Sequence, residues 1–412
     1  MKLALRSQAS LFATLLCALA AIGCSDDTTE PGVSDADVIE NYAALVSASY
    51  EDSVSTAEAL HDAVHSFIEA PSASTLQKAK QAWLKSRDPY GETEAYRFSQ
   101  GPIDNDDSDD DIPDGPEGLI NSWPLDESYI DYVLNETTDE VSNSGIVNLV
   151  DEFPEIDEAT LAAANTPQNL GEASETSVST GYHAIEFLLW GQDHSDDGPG
   201  DRPYTDYVVG DDATAENQER RAQYLEAVTN LLVDDLSEVN AAWVAGKDNY
   251  RAKFVAMSPK LALGKIILGM GSLAGGELAQ ERMSVAFENK EQEDEHSCFS
   301  DNTLADLHNN AKSVQNVLLG RYGSIAGPGI YDLVKAKNSA LADELKDSIQ
   351  EALDNIDAVK DSGVPFDQVI RPEAEGSAES QHIDAAIKAL KAFTEKLSPA
   401  AEALDVEVMF EQ

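Results

Sequence analysis

The chain has 412 residues and carries 77 Asp and Glu against 27 Lys and Arg, a net charge of -50. A surface this acidic repels polyanions and excludes nucleic acid as a partner. It suits solubility in saline surroundings, cations or a basic partner. With 42% hydrophobic residues, the length allows about two packed domains.

At the N-terminus, Lys2 and Arg6 precede an apolar run from Leu11 to Ile22, too short for a spanning helix. The run ends Leu19-Ala20-Ala21-Ile22-Gly23-Cys24. That ending resembles a bacterial lipobox, with Ala21 standing where Leu is commonest. The expectation is a lipoprotein signal peptide over 1–23, acylation of Cys24, and attachment to a membrane by lipid alone. Ser25 after the cysteine points to the periplasmic face of the outer membrane or the cell surface. Cys17 leaves with the leader, so Cys298 is the only thiol free to pair and no internal disulfide is expected. Residues 24–35 read as a flexible tether.

Helical periodicity begins with Val54, Ala57, Leu60, Val64 and Phe67. Pro71 ends this stripe, and Ser72 or Ser74 caps the next, through Leu76, Ala79 and Trp83. His61 and His65 stand at i, i+4 on the first helix. That is a metal-pair spacing, but no acid faces His61 across the turn, and a core or boundary role is favoured. The block Arg87–Asp104 mixes aromatic, acidic and arginine residues, with Glu94 and Arg97 at i, i+3. It reads as a polar network under cover. Asp104–Glu117 is an acidic loop. It lacks the Gly and Glu positions of an EF-hand and reads as solvated, with calcium the lesser alternative.

Gly181-Tyr182-His183-Ala184-Ile185-Glu186-Phe187-Leu188-Leu189-Trp190 is a nearly uncharged helical stretch. His183 and Glu186 share one helical face. Such a pair binds a metal, relays a proton, or simply satisfies itself in a core. A polar loop, Gln192–Tyr204, follows and marks the expected boundary between an N-terminal bundle (36–200) and a C-terminal one (201–412). His194 in that loop reads as exposed.

The second half is again helical. Leu225, Val228, Leu232, Leu236, Val239 and Trp243 form one stripe. Leu261–Leu278 holds Lys265 and five glycines, a density that implies close backbone packing and argues against a membrane span. Glu293 and His296 form E-x-x-H, the reverse order of His183 and Glu186, and a faint hint of duplication. Three further stripes run through Leu304–Leu318, Leu345–Ile356 and Ile383–Leu397. No alternating strand of useful length is present. The fold class is all-α, two packed helical bundles.

The G-x-H-x-x-E stretch Gly181–Glu186 resembles the signature of the imelysin family. The blocks Arg87–Asp104, Asn121–Glu127, Gly191–Tyr204, and Glu277–Met283 with Gln292–Thr303 are similar to its iron-regulated protein A branch. The resemblance runs from about residue 40 to the C-terminus. It implies a cell-envelope protein of two helical bundles, often a lipoprotein, associated with iron supply, from a family also counted among candidate metallopeptidases. Its signature positions here are Gly181, His183 and Glu186. The extra aspartates at Asp106–Asp111 depart from that pattern.

Three functions compete. In the first, the chain binds a metal ion or metal complex, iron first and zinc second. His183 and Glu186 are then ligands, Glu94, Glu293 and His296 complete the site, and Arg97 orients a carboxylate. In the second, it is a metallopeptidase. The H-E-x-x-H motif is absent, and His183 with Glu186 gives two ligands at most. In the third, the polar cluster is structural in a partner-binding lipoprotein. Binding is favoured over peptidase chemistry.

Overall fold

The computed structural model describes residues 32–106, 114–135, 138, 140–166, 176–195 and 198–408. The leader, Cys24, most of the tether and the core of the acidic loop lie outside these residues. Val33–Gln412 forms one compact unit, and its described residues are predominantly helical. The only strands among the described residues are two antiparallel pairs of two residues each.

Eight helices build the frame: α1 (Asp35–Glu69), α2 (Ala73–Gly91), α3 (Gly181–Trp190), α4 (Gln218–Trp243), α5 (Pro259–Asn289), α6 (Thr303–Leu319), α7 (Ser339–Ser362) and α8 (Ala378–Ala403). Their starts are chemically specified. Ser34 with Asp37, and Ser72 with Thr75, close capping boxes, each cap stabilising its helix by about 1 kcal/mol. Asn338 and Ser377 cap α7 and α8. Gly363 ends α7 in the left-handed region at φ 76°, where a residue with a Cβ is strained.

The apolar stripes of the sequence are the buried faces. Ala57, Leu60, Val64 and Phe67 of α1 are almost wholly buried, as are Leu225, Val228, Leu232 and Leu236 of α4. In one set of helices α1 packs on α2 and α4, with α3 against α2 and α4. In the other, α7 packs on α6 and α8, and α5 packs on α6 and α8. α4 follows the Gln192–Tyr204 loop in sequence yet packs along α1 and α3. α6 touches α2, joining the two sets.

α5 alone among the described helices is long and apolar enough to cross a membrane, which the sequence did not lead one to expect. More than half of its most apolar stretch is buried inside the protein, so its apolarity is explained by core packing. Of its glycines, Gly269 meets neighbouring backbone and Gly275 a neighbouring side chain, whereas Gly276 faces open space. A Cβ at Gly269 would meet the carbonyl of Ala95, and one at Gly275 would crowd Thr394 of α8.

Candidate functional site

α3 is held at both ends. Gly181 adopts φ 81°, and a Cβ there would run into the carbonyl oxygen of Ile120. The motif glycine is therefore a requirement of close packing at the helix start. All ten residues of α3 are buried, including His183 and Glu186. One turn apart, they meet as the spacing implied. His183 Nδ1 lies 3.0 Å from Glu186 Oε2. The other oxygen, Oε1, accepts from the backbone N–H of Ser300 at 3.0 Å and its hydroxyl at 2.7 Å. His183 Nε2 is buried and has no hydrogen-bond partner.

Tertiary packing brings His296 against His183, ring centroids 4.7 Å apart and nearly perpendicular. Its Nδ1 faces Asp306 Oδ2 at 3.3 Å. Residues 292–294 form a 3-10 turn and the chain beyond is irregular, so the helical i, i+3 argument for Glu293 and His296 does not apply. Glu293 is exposed, and the carboxylate facing His296 is that of Asp306. Asp306 is fully buried and collects four donors. Arg87 Nε and Asn302 Nδ2 reach Oδ1 at 3.2 Å each, while the Ser297 hydroxyl at 2.5 Å joins His296 on Oδ2. Arg87 also lies over the Tyr182 ring, 4.9 Å from its centroid, and donates to Asn121 Oδ1.

Glu94 and Arg97 pair at 3.0 Å, again as their spacing implied, under cover of the fold. Glu94 Oε2 also accepts from Arg282 Nη2 at 2.9 Å. The same Nη2 reaches Glu277 Oε1 at 2.8 Å. That last pair depends on local winding. Residues 272–284 of α5 form a π-helix, and its i→i+5 pattern brings residues five apart onto one face. Glu94 Oε1 is buried without a partner. Arg87, Arg282, Asp306 and Ser300 are the residues that spacing did not reveal. Asp306 stands in the first turn of α6, where an acid is the ordinary complement of a helix dipole, so nothing in the sequence marked it.

Burial and neighbouring charge set the protonation states. Burial pushes His183 well below its ordinary value, and the nearby His296 and Arg87 add to the shift. Burial, then Arg282, lowers His296 to about 4. Both imidazoles are therefore neutral at pH 7. Burial raises Glu186 to about 8 against the opposing hydrogen bond from Ser300. Burial would also raise Asp306, but Arg87 and His296 outweigh it and hold the group far below the usual range. Glu94 is likewise held down to about 2, by Arg282 and Arg97 against burial.

A pH dependence of stability follows. Folded Glu186 keeps a proton that the unfolded chain releases above its ordinary 4.5, so its contribution is lost as pH rises towards 8. Folded His296 refuses a proton that the unfolded chain takes up below 6.5, so stability is also lost as pH falls from 6.5 towards 4. Thermal melts across this range are expected to show a fall in Tm between pH 6.5 and 8 that is shallower in Glu186→Gln. An unchanged slope in that variant would refute the assignment.

The arrangement presents two neutral imidazoles, each with Nδ1 facing a carboxylate. This is the outer-shell pattern that fixes a metal-binding histidine. Were Glu186 to give up its proton as a metal binds, Nδ1–H would donate to the carboxylate and His183 Nε2 would offer its lone pair. Glu186 is then the orienting partner of His183, and the orphaned oxygen of Glu94 is the carboxylate atom left available. Among the described residues no three His, Cys, Asp or Glu side chains are disposed to hold a metal by themselves. The pair fits a ligand that supplies part of its own coordination.

Comparison with known proteins finds relatives both in sequence and in structure. The imelysin family model matches residues 46–397. Iron-regulated protein A of Synechococcus elongatus is 25% identical over 303 residues, spanning 73% of this chain and 69% of the relative. The crystal structure of a provisionally assigned iron-regulated protein A precursor from Parabacteroides distasonis superposes with a TM-score of 0.65 at 18% identity, covering 91% of this chain and 97% of that one. At that identity the likeness shows the shared fold alone.

Proposed function

The chain belongs to the imelysin family, and from that premise we propose that it is a cell-envelope protein of iron acquisition, binding a metal ion or metal complex at its buried histidine pair. The observation that carries the reading is the unpartnered, solvent-shielded Nε2 of His183, whose Nδ1 is held by Glu186. Buried polar atoms normally find a partner, and a neutral imidazole oriented by a carboxylate is suited to coordination. His296, oriented by Asp306, is the second donor, and Glu94 the third group facing this network. Iron is the expected cargo. The Synechococcus relative is named for iron regulation, and mixed imidazole and carboxylate donors suit it, with zinc the alternative. Attachment through acylated Cys24 would place the site at the envelope surface.

Binding is favoured over peptide hydrolysis by the depth of the site. His183 and His296 are each about 1% exposed. A hydrolytic metal needs an open position for water and a path for the peptide. The test is elemental analysis of protein purified from iron-replete cells. Wild type is expected to retain metal. His183→Ala and His296→Ala are expected to lose it with helicity intact, and Glu186→Gln to weaken retention by about 10–100-fold. Folded variants that keep the wild-type metal content would overturn the proposal. Chelator-sensitive cleavage of a peptide library, abolished in His183→Ala, would favour the peptidase reading instead.

A further inference from the structure

We propose a second metal site, apart from the central network: a divalent transition ion held by His61 and His65 of α1 with Glu226 of α4. The two histidines stack at i, i+4, ring centroids 6.3 Å apart and 21° from parallel. Glu226 comes from a helix distant in sequence and brings one carboxylate to both rings. Its Oε1 lies 3.0 Å from His65 Nδ1 and 3.5 Å from His61 Nε2.

Two orphaned atoms point to a missing occupant. His61 Nε2 and Glu226 Oε2 are both shielded from solvent, and neither has a hydrogen-bond partner. A shielded polar atom without a partner calls for an explanation, and an ion is among the ordinary ones. The cluster nevertheless opens to solvent. His65 and Glu226 line a surface groove of about 730 Å³ that also carries Asp157, Glu158 and Glu219, with no Lys or Arg in its lining.

The spacing is close to that of a coordination shell. Bonds of about 2.0–2.2 Å in a tetrahedral site put neighbouring donor atoms about 3.3 Å apart, and Glu226 Oε1 stands near that distance from each imidazole. The three donors are gathered around this oxygen rather than around one central point, in keeping with the absence of a formed three-ligand cage. The His65 side chain is half exposed, which leaves its ring room to turn towards such a centre. His65 Nε2 faces Glu69 Oε1 at 3.5 Å, which favours the tautomer whose Nδ1 lone pair meets the metal. Two imidazoles and one carboxylate select zinc, copper, nickel or cobalt over magnesium and calcium. The ion would tie α1 to α4. The simpler alternative is an exposed His–Glu ion pair, which stabilises little and binds nothing.

Calorimetric titration with Ni²⁺ in excess Mg²⁺, which occupies the general acidic surface, decides between them. The His183→Ala background keeps the central site out of the signal. One equivalent of Ni²⁺ is expected to bind and raise Tm. The additional change His61→Ala/His65→Ala should abolish both effects, and Glu226→Gln should weaken binding by about 10-fold. The changed residues are partly exposed, and melts without metal check that each variant folds. Equal affinity and stoichiometry in the double-histidine variant, or no Ni²⁺ bound by the background protein, would overturn the site. Metal retention at His183 is measured separately, so the two proposals fail independently.

Discussion

Asp306→Ala is expected to cost about 3–5 kcal/mol of stability, because removing one partner of a buried ion pair leaves the other charge uncompensated. Arg87 is about 1% exposed and Asp306 is fully buried. Asn121 is the arginine's other hydrogen-bonded side chain and carries no charge to replace the carboxylate. The same substitution removes the acceptors of His296, Ser297 and Asn302. Chemical denaturation of wild type and variant checks the magnitude. Replacing the pair together, Asp306→Leu with Arg87→Met, should recover part of the loss, since no unpaired charge then stays buried, while His296, Ser297 and Asn302 still lack their acceptor. A loss below about 1 kcal/mol in the single variant would mean that the network is not an energetic centre.

Asp131→Ala is expected to be comparably severe, about 3–5 kcal/mol, for a related reason. Asp131 receives Arg221 through two bonds, Nε at 2.6 Å and Nη2 at 2.9 Å, and Arg202 through Nη1 at 2.8 Å. Both arginines and the aspartate are buried. Arg202 keeps Asp206 at 3.3 Å, whereas Arg221 keeps only the backbone carbonyls of Asp206 and Glu216. These bonds clasp the loop after α3 to the start of α4. Asp131→Ala should therefore lower the midpoint of denaturation and make the 191–217 segment sensitive to limited proteolysis. Protection equal to wild type would show that the loop is held by other contacts.

The helical frame was legible because an apolar stripe at helical spacing is a local property. The stripes through Leu60, Leu232, Leu353 and Leu390 all became buried faces. The pairs His183–Glu186 and Glu94–Arg97 were legible for the same reason, both members lying within one turn of the chain. Glu293 failed as a partner of His296 because a 3-10 turn replaced the helix that its spacing assumed. Glu226 was invisible as a partner of His65, since 161 residues separate them in the chain.

By itself the sequence determined an all-α fold, the acidic charge, and a motif whose histidine and glutamate are brought together by one helical turn. Tertiary structure alone decided that His296 meets His183, that Asp306 rather than Glu293 faces it, and that Arg282 crosses from a π-wound segment to Glu94. The physical reason is range. Backbone hydrogen bonding and amphipathic periodicity act over a few residues and are written in spacing. The pairing of buried charges is settled only when separate helices close over them and water is excluded.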